Sequence, residues 1–459
     1  MKNVLKKLIG LIALISICFS FTACFNNKAL TAYDIAVENG FVGTEQEWLE
    51  SLKGKDGENG KDGVNGINGQ DGKDASTITI EDLYAAAKNN GYEGSFLDFL
   101  KEYLDSNLTE YDTESAINNS LFSVVSVISE FQVLNGFQLT TGYGAGAGVI
   151  YKLDKEEGDA LIITNYHVIH NSSSYGEDKF AKAINLFLYG QEVLEYAVPA
   201  TIVGGSLTYD IAVLSVENSE VLKESNATAV TFGDSNHIKV GSTAIAIGNP
   251  DGAGISATKG IISVDSEYIS LQIDESIAAI DYRSIRVDAA INPGNSGGGL
   301  FNAKGELIGI VNAKTVSNEV EGMGYAIPSS LAKAVIENII WNASCGRTGV
   351  SKGLMGITVS ADKTSAVYNE ELQMVEIIER IVIQAVNVGS LAYGKLMAGD
   401  ILVSIEHNDS KTQITRNFFV VDYMLNVRPG DTFTVTVIRG NATVEVNLTI
   451  EEKHFTALA

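Results

Sequence analysis

From residue 121 onward the chain is a succession of short, β-branched apolar runs broken by Gly, Asn and Asp: SVVSVI, GVIY, ALIITNY, AVPATIV, DIAVLSV, STAIAIG, KGIISV and LIGIV. Side chains of this kind fit a pleated surface, and the breakers between the runs end each strand in a turn. Many short strands with few helices must close or stack to protect their edges, so the pattern predicts a barrel or a sandwich. A chain of 459 residues is also longer than one core usually organises. A second β pattern begins after Gly346. The expectation is a mainly β protein of two or three folded units.

Composition removes some functions. Lys and Arg number 32 against 57 Asp and Glu, a formal charge of −25, which repels phosphate backbones and anionic head groups and argues against nucleic-acid binding. The three cysteines, Cys18, Cys24 and Cys345, are too few for a disulfide framework. The first two belong to an N-terminal pattern. Lys2, Lys6 and Lys7 precede sixteen uncharged residues, 8–23, as in an export signal. Thr22 and Ala23 lie directly before Cys24, so the stretch resembles the lipobox of bacterial lipoproteins, with Phe21 in place of the usual Leu. That resemblance implies a signal peptide over 1–23 and an acylated Cys24 as the first mature residue. The alternative is an ordinary transmembrane anchor, but the apolar run falls short of the roughly 20 residues that span a bilayer. Loss of three lysines takes the mature charge to −28, so attachment has to come from acyl chains.

Residues 24–113 read as a stalk. The segment at 32–52 recurs fifty-one residues later, pairing Tyr33 with Tyr84, Asn39 with Asn90, Gly40 with Gly91, Gly43 with Gly94, Trp48 with Phe99 and Leu49 with Leu100. Each copy predicts two short helices about an Asn-Gly turn. Between the copies, over 54–74, Gly54, Gly57, Gly60, Gly63, Gly66, Gly69 and Gly72 keep the collagen period without a single proline. Both a weak triple helix and a solvated spacer fit that composition.

Three fragments in the β region carry chemistry. His167 ends a strand in TNYHVI, Asp210 starts another in YDIAVL, and Ser296 stands among glycines in GNSGG. A serine hydroxyl becomes a good nucleophile when a neutral imidazole takes its proton, and a carboxylate holds that imidazole in the right tautomer. Gly294 leaves its N–H unobstructed and, with the N–H of Ser296, can donate to the oxyanion formed when a carbonyl is attacked.

With their flanks these fragments carry a family resemblance. IRVDAAINPGNSGGGLFNAKGELIGIV (285–311) resembles the HtrA (Deg) family of trypsin-like serine proteases almost residue for residue, and GAGAGVI (144–150), AIGNP (246–250), TKGIIS (258–263) and GMGYAIP (322–328) follow in family order. The resemblance implies a two-barrel chymotrypsin-like domain over 114–345 with His167, Asp210 and Ser296 as its triad. It also implies Ala290, six before the nucleophile, at the base of the specificity pocket, favouring cleavage after small or medium aliphatic residues. Gly299 stands where the family usually has Pro, and the 43 residues from His167 to Asp210 imply an enlarged loop around 175–195. Asn295 replaces the Asp that pairs with a new N-terminus in zymogen-activated enzymes, so that route of activation is unavailable. His170, His237, His407 and His454 have no zinc-site spacing and read as surface residues. No metal or organic cofactor is implied.

GLMGITV (353–359), AYGKLMAGDILVSI (392–405) and RPGDTFTVTVIRG (428–440) resemble, in order, the ligand loop, Ala-Gly-Asp turn and last strands of an HtrA-type PDZ domain, over 350–452. Ser390 and Leu391 replace the family's common Pro-Ala. A PDZ domain binds an extended C-terminus as an added strand, its carboxylate held by loop N–H groups, here Gly353, Leu354, Met355 and Gly356. The alternative is a small β domain that only packs on the protease. The whole implies an exported, lipid-anchored envelope endopeptidase for unfolded or misfolded proteins, assembled as a homotrimer or a multiple of one. The rival readings are a catalytically silent chaperone or peptide-binding scaffold, and an adhesin built on the Gly-X-Y run.

Overall fold

The structure is a computed structural model; the residues it describes are 42–44, 47, 80–89, 91–96, 98–99, 113–176, 179–271, 280–312, 322–408 and 410–458. The expected signal at 1–23, Cys24 and the Gly-X-Y run at 54–74 lie outside them, as does most of the first repeat copy. In the second copy, helix α1 (Ile80–Asn89) is followed by Gly91 at φ +96. The duplication also repeats a helix cap. Thr44 and Glu47 exchange the same backbone and side-chain hydrogen bonds as Ser95 and Asp98, fifty-one residues on.

Helix α2 (Thr113–Leu121) leads into the first barrel, built from β1 (Val124–Asn135), β2 (Gln138–Asp154), β3 (Asp159–Thr164), β4 (Ala183–Leu188), β5 (Val198–Ser206) and β6 (Ile211–Val216). It closes in the order β1-β2-β3-β6-β5-β4. Two short helices belong to this half, α3 (Tyr166–Ile169) after β3 and α4 (Glu220–Glu224) after β6. The second barrel comprises β7 (Thr243–Gly248), β8 (Ser256–Leu271), β9 (Ile280–Val287), β10 (Gly299–Phe301), β11 (Leu307–Asn312) and β12 (Gly324–Pro328), closed as β10-β11-β12-β9-β8-β7. The enlarged loop expected around 175–195 is not one loop, because β4 runs through it and pairs with both β1 and β5.

The strands read as unbroken apolar runs because several are buried on both faces. Successive side chains alternate across a strand. Ile162, Ala212 and Leu214 enter the first barrel, and Ala244 and Ala246 the second. Their neighbours Ile163, Ile211, Val213, Ile245 and Ile247 meet in one shared core between the barrels, together with Phe301, Ile310 and Ile327. Each of these large side chains contributes about 1.5–3 kcal/mol by leaving water. Helix α5 (Ser329–Ser344) adds Leu331, Val335, Ile336 and Ile339 to that core.

The C-terminal module pairs β13 (Val350–Gly353) with β20 (Phe455–Leu458) and stacks β14 (Ile357–Asn369), β15 (Met374–Val386), β16 (Ile401–His407), β18 (Thr432–Arg439) and β19 (Ala442–Thr449) in that order. The short β17 (Ser410–Gln413) pairs with β16, and helix α6 (Asn417–Tyr423) precedes β18. The β13–β20 ribbon carries this module to Leu458, beyond the expected boundary at 452. Asp400, in the Ala-Gly-Asp turn, is buried and receives two hydrogen bonds at 2.7 Å from the Arg439 guanidinium. Two buried amides of α5 hold the module to the protease half. Asn338 Nδ2 donates to the carbonyls of Ser351 (2.7 Å) and Leu425 (2.8 Å), and Asn342 Nδ2 donates to that of Gly349 (3.0 Å). Buried amides are tolerable when paired in this way.

Candidate active site

β3 delivers His167 to the rim of the first barrel. Thr164, its last residue, donates to the Ala147 carbonyl at 2.7 Å, and Asn165 opens the single turn of α3. Asn165 spends its side chain elsewhere, donating from Nδ2 to the main-chain carbonyl of Asp210 at 2.7 Å. Asp210 has no exposed surface and lies in the left-handed region at φ +50. A non-glycine residue there costs of order 1–3 kcal/mol and needs its surroundings to hold it.

The Asp210 carboxylate collects donors from both barrels. Nδ1 of His167 lies 2.8 Å from Oδ2 and 3.0 Å from Oδ1, and the His167 backbone N–H donates to Oδ1 at 3.0 Å. Asn312 Nδ2, at the end of β11, donates to Oδ2 at 2.9 Å. Facing a carboxylate, Nδ1 is the nitrogen that carries the proton, which leaves Nε2 as the basic one. Nothing in the sequence marks Asn312 beyond its place directly after LIGIV.

Ser296 is 5% exposed, on the turn between β9 and β10. Its carbonyl accepts from Ala147 N–H at 2.8 Å. A Cβ on Gly146 would stand 2.7 Å from both Val168 methyls and 3.2 Å from the Ser296 carbonyl. The absence of one side chain on β2 therefore lets the turn of His167 and the turn of Ser296 close on each other.

Gly294 has φ +94, and a Cβ there would lie 2.2 Å from the Asn249 carbonyl. The Pro293 carbonyl accepts from Asp251 N–H at 2.8 Å. Across a planar trans peptide the next N–H points the opposite way, so this bond turns the Gly294 N–H away from Asp251. Asn249 braces the arrangement, donating to the Gly146 carbonyl at 3.3 Å and accepting from Gly254 N–H at 2.9 Å. The AIGNP motif is thus a support for the serine turn. Asn295, Gly297 and Gly298 donate their N–H groups to Asn292, Val311 and Asn295 carbonyls. The Asn295 side-chain oxygen is buried without a hydrogen-bond partner. Ala290 is exposed ahead of the turn, its carbonyl accepting from Thr258 Oγ1 at 2.8 Å.

In the C-terminal module the expected ligand-loop donors narrow. The N–H groups of Gly353 and Leu354 are already given to the carbonyls of Met424 (3.1 Å) and His454 (2.8 Å), which leaves Met355 and Gly356. Gly356 sits at φ +75, and a Cβ there would be 2.1 Å from that of Ser390. Three of the four histidines expected at the surface are partly buried. His237 is exposed, whereas His170, His407 and His454 are half-buried, and His170 stacks on Tyr166 with ring centroids 4.9 Å apart.

Two closed six-stranded barrels sharing one core, with a His–Asp pair on the first and a glycine-flanked serine at the start of the last strands of the second, define the trypsin-like class of serine endopeptidases. A model of the trypsin-like peptidase domain matches residues 146–310, from β2 into β11. The Do-like serine protease HtrA of Lactococcus lactis subsp. cremoris is 31% identical over 74% of this chain and 83% of its own. That of Bacillus subtilis is 32% identical over 68% of this chain, a match that spans 65% of the relative's own length. The HtrA-type protease AlgW solved with a tripeptide is 26% identical, with a TM-score of 0.48 over 76% of this chain and 98% of that one. The chain belongs to the Do-like HtrA family of serine proteases.

Proposed function

We propose that the protein is an envelope endopeptidase that cleaves unfolded or misfolded exported proteins through an acyl-enzyme formed on Ser296. The observation that carries the reading is the His167–Asp210 pair, with its carboxylate fully buried. Ser296 Oγ bonds to the scissile carbonyl carbon while its proton passes to His167 Nε2, and Asp210 stabilises the imidazolium. The Gly294 and Ser296 N–H groups receive the oxyanion. As the intermediate collapses, the peptide C–N bond breaks and the amine leaves with the proton from Nε2. Water, deprotonated by the same nitrogen, then hydrolyses the ester. The test is digestion of unfolded casein. Cuts are expected mostly after Val, Ala or Ile, because Ala290 offers no carboxylate to a basic side chain. A majority of cuts after Lys or Arg would refute that assignment.

The C-terminal module is read as a PDZ-type domain that captures free C-termini, the peptide carboxylate lying against the Met355 and Gly356 N–H groups. Peptides ending in a free carboxylate should bind the full chain, and their C-terminal amides at least tenfold more weakly, since a charge-assisted hydrogen bond is worth about 1.5–3 kcal/mol. Equal binding of acid and amide, measured calorimetrically, would remove the assignment. For localisation, Cys24 is read as an acylated residue holding the protein on the outer face of the cytoplasmic membrane. Cys24→Ser should release the protein from membranes or leave its precursor uncut. Unchanged retention after a salt wash would point to another anchor. Assembly as a homotrimer or a multiple of one belongs to the same proposal, and the molar mass in solution decides it.

A further inference from the structure

The Asp210 turn is held by a residue outside the triad. Asp210 stands at φ +50, and the turn that puts it there, from Leu207, closes on a hydrogen bond of 3.3 Å from Asp210 N–H to the Leu207 carbonyl. The same carbonyl accepts a shorter bond, 2.8 Å, from the hydroxyl of Tyr282. Tyr282 is buried on β9, in the other barrel, and packs with Ile269 and Tyr325. It therefore ties the turn that carries Asp210 to the half of the molecule that carries Ser296. Its neighbour in sequence faces elsewhere, as alternate strand residues do. Arg283 is 3% exposed, lies 2.6 Å from the Asp422 carboxylate of α6 and stacks 4.1 Å over the Phe418 ring. Arg416 covers the same ring at 5.1 Å and reaches back to Asp265 of β8 at 3.1 Å. Burial keeps the hydroxyl of Tyr209, the residue next to Asp210, protonated, and the Asp422 carboxylate adds to that.

We propose that Tyr282 is a positioning residue for the Asp210 turn, and that the Arg283–Asp422 pair makes its setting depend on the C-terminal module. The module would then act on the carboxylate end of the triad, through two adjacent residues of one strand. A cation as deeply buried as Arg283 is costly to leave without its partner, so withdrawal of α6 cannot leave β9 undisturbed.

The proposal rests on the reading of Asp210 as the partner of His167 in catalysis, and the experiment separates the two. The full chain and its variants are treated with a fluorophosphonate probe, which phosphonylates an activated serine with loss of fluoride, and kcat and KM are measured on casein. Ser296→Ala must lose labelling; if it does not, the proposed function fails. Tyr282→Phe, which removes only the hydroxyl, should lower kcat and the labelling rate together by about three- to tenfold, the value of one neutral hydrogen bond, with KM unchanged. Asp422→Asn should lower both in the same direction, and the double variant should be no slower than the slower single one. If Asp422→Asn does not fold, Asp422→Glu takes its place in the cycle. Wild-type labelling of Tyr282→Phe, a change confined to KM, or strictly multiplicative effects of the two substitutions would overturn the proposal.

Discussion

Replacing Ser296 with Ala should lower kcat on an unfolded protein substrate by roughly 10⁶-fold, and His167→Ala by a similar factor, because in the proposed mechanism the two act in one proton-transfer unit. For the same reason the double variant should be no slower than either single one. Asp210→Asn should cost about 10⁴-fold, since an amide at that position no longer selects the tautomer with the proton on Nδ1. The fold should survive the serine substitution. Ser296 is anchored through its main-chain carbonyl, which accepts from Ala147 N–H whatever the side chain. Thermal unfolding midpoints within a few degrees of the wild type, measured beside the rates, separate lost chemistry from lost structure. Residual turnover within tenfold of the wild type in Ser296→Ala would sink the mechanism.

The sequence made the protease half legible because its signals are local. A β-branched run predicts its own strand, and His167, Asp210 and Ser296 each sit in a fragment that needs no partner to be noticed. What sequence alone left unread is what long-range packing creates. Asn312 becomes a ligand of Asp210 only when β11 of the second barrel reaches the first, 102 residues away in the chain. Tyr282 is one aromatic residue in a strand until its hydroxyl meets Leu207, 75 residues off. Asn338 and Asn342 look like interruptions of an amphipathic helix, yet they accept and donate the bonds that fix β13. The boundary at 452 fell short for the same reason. Residues 455–458 carry no turn signal or repeat, and they form a strand because β13 offers an unpaired edge. The loop expected between His167 and Asp210 erred by counting residues alone, when β4 and β5 account for much of that length.

Gly294→Ala should be severely damaging, although it lies outside the triad. At φ +94 an L-residue is strained in any surroundings, and here the added methyl would also lie 2.2 Å from the Asn249 carbonyl and 2.7 Å from Asp251 N. Both contacts are with backbone, which cannot rotate away as a flexible side chain would. Relief requires the Pro293–Gly294 peptide to move. That peptide is the one whose carbonyl is fixed by Asp251 N–H and whose N–H is thereby aimed. Losing one such donor costs about 10²–10³ in kcat, because the oxyanion exists only in the transition state and its intermediates. KM should change little, and affinity for a peptidyl boronate, whose adduct with Ser296 presents the same negative oxygen, should fall by a similar factor. Gly136→Ala provides the comparison. It sits at φ +64 in the β1–β2 hairpin with nothing within 4 Å of the added methyl, so it carries backbone strain without the collision. If strain alone were responsible, the two variants would lose stability and activity alike. The geometry predicts that Gly136→Ala keeps wild-type kcat while Gly294→Ala loses it. Retention of full activity by Gly294→Ala would mean that the Gly294 N–H does not serve the oxyanion.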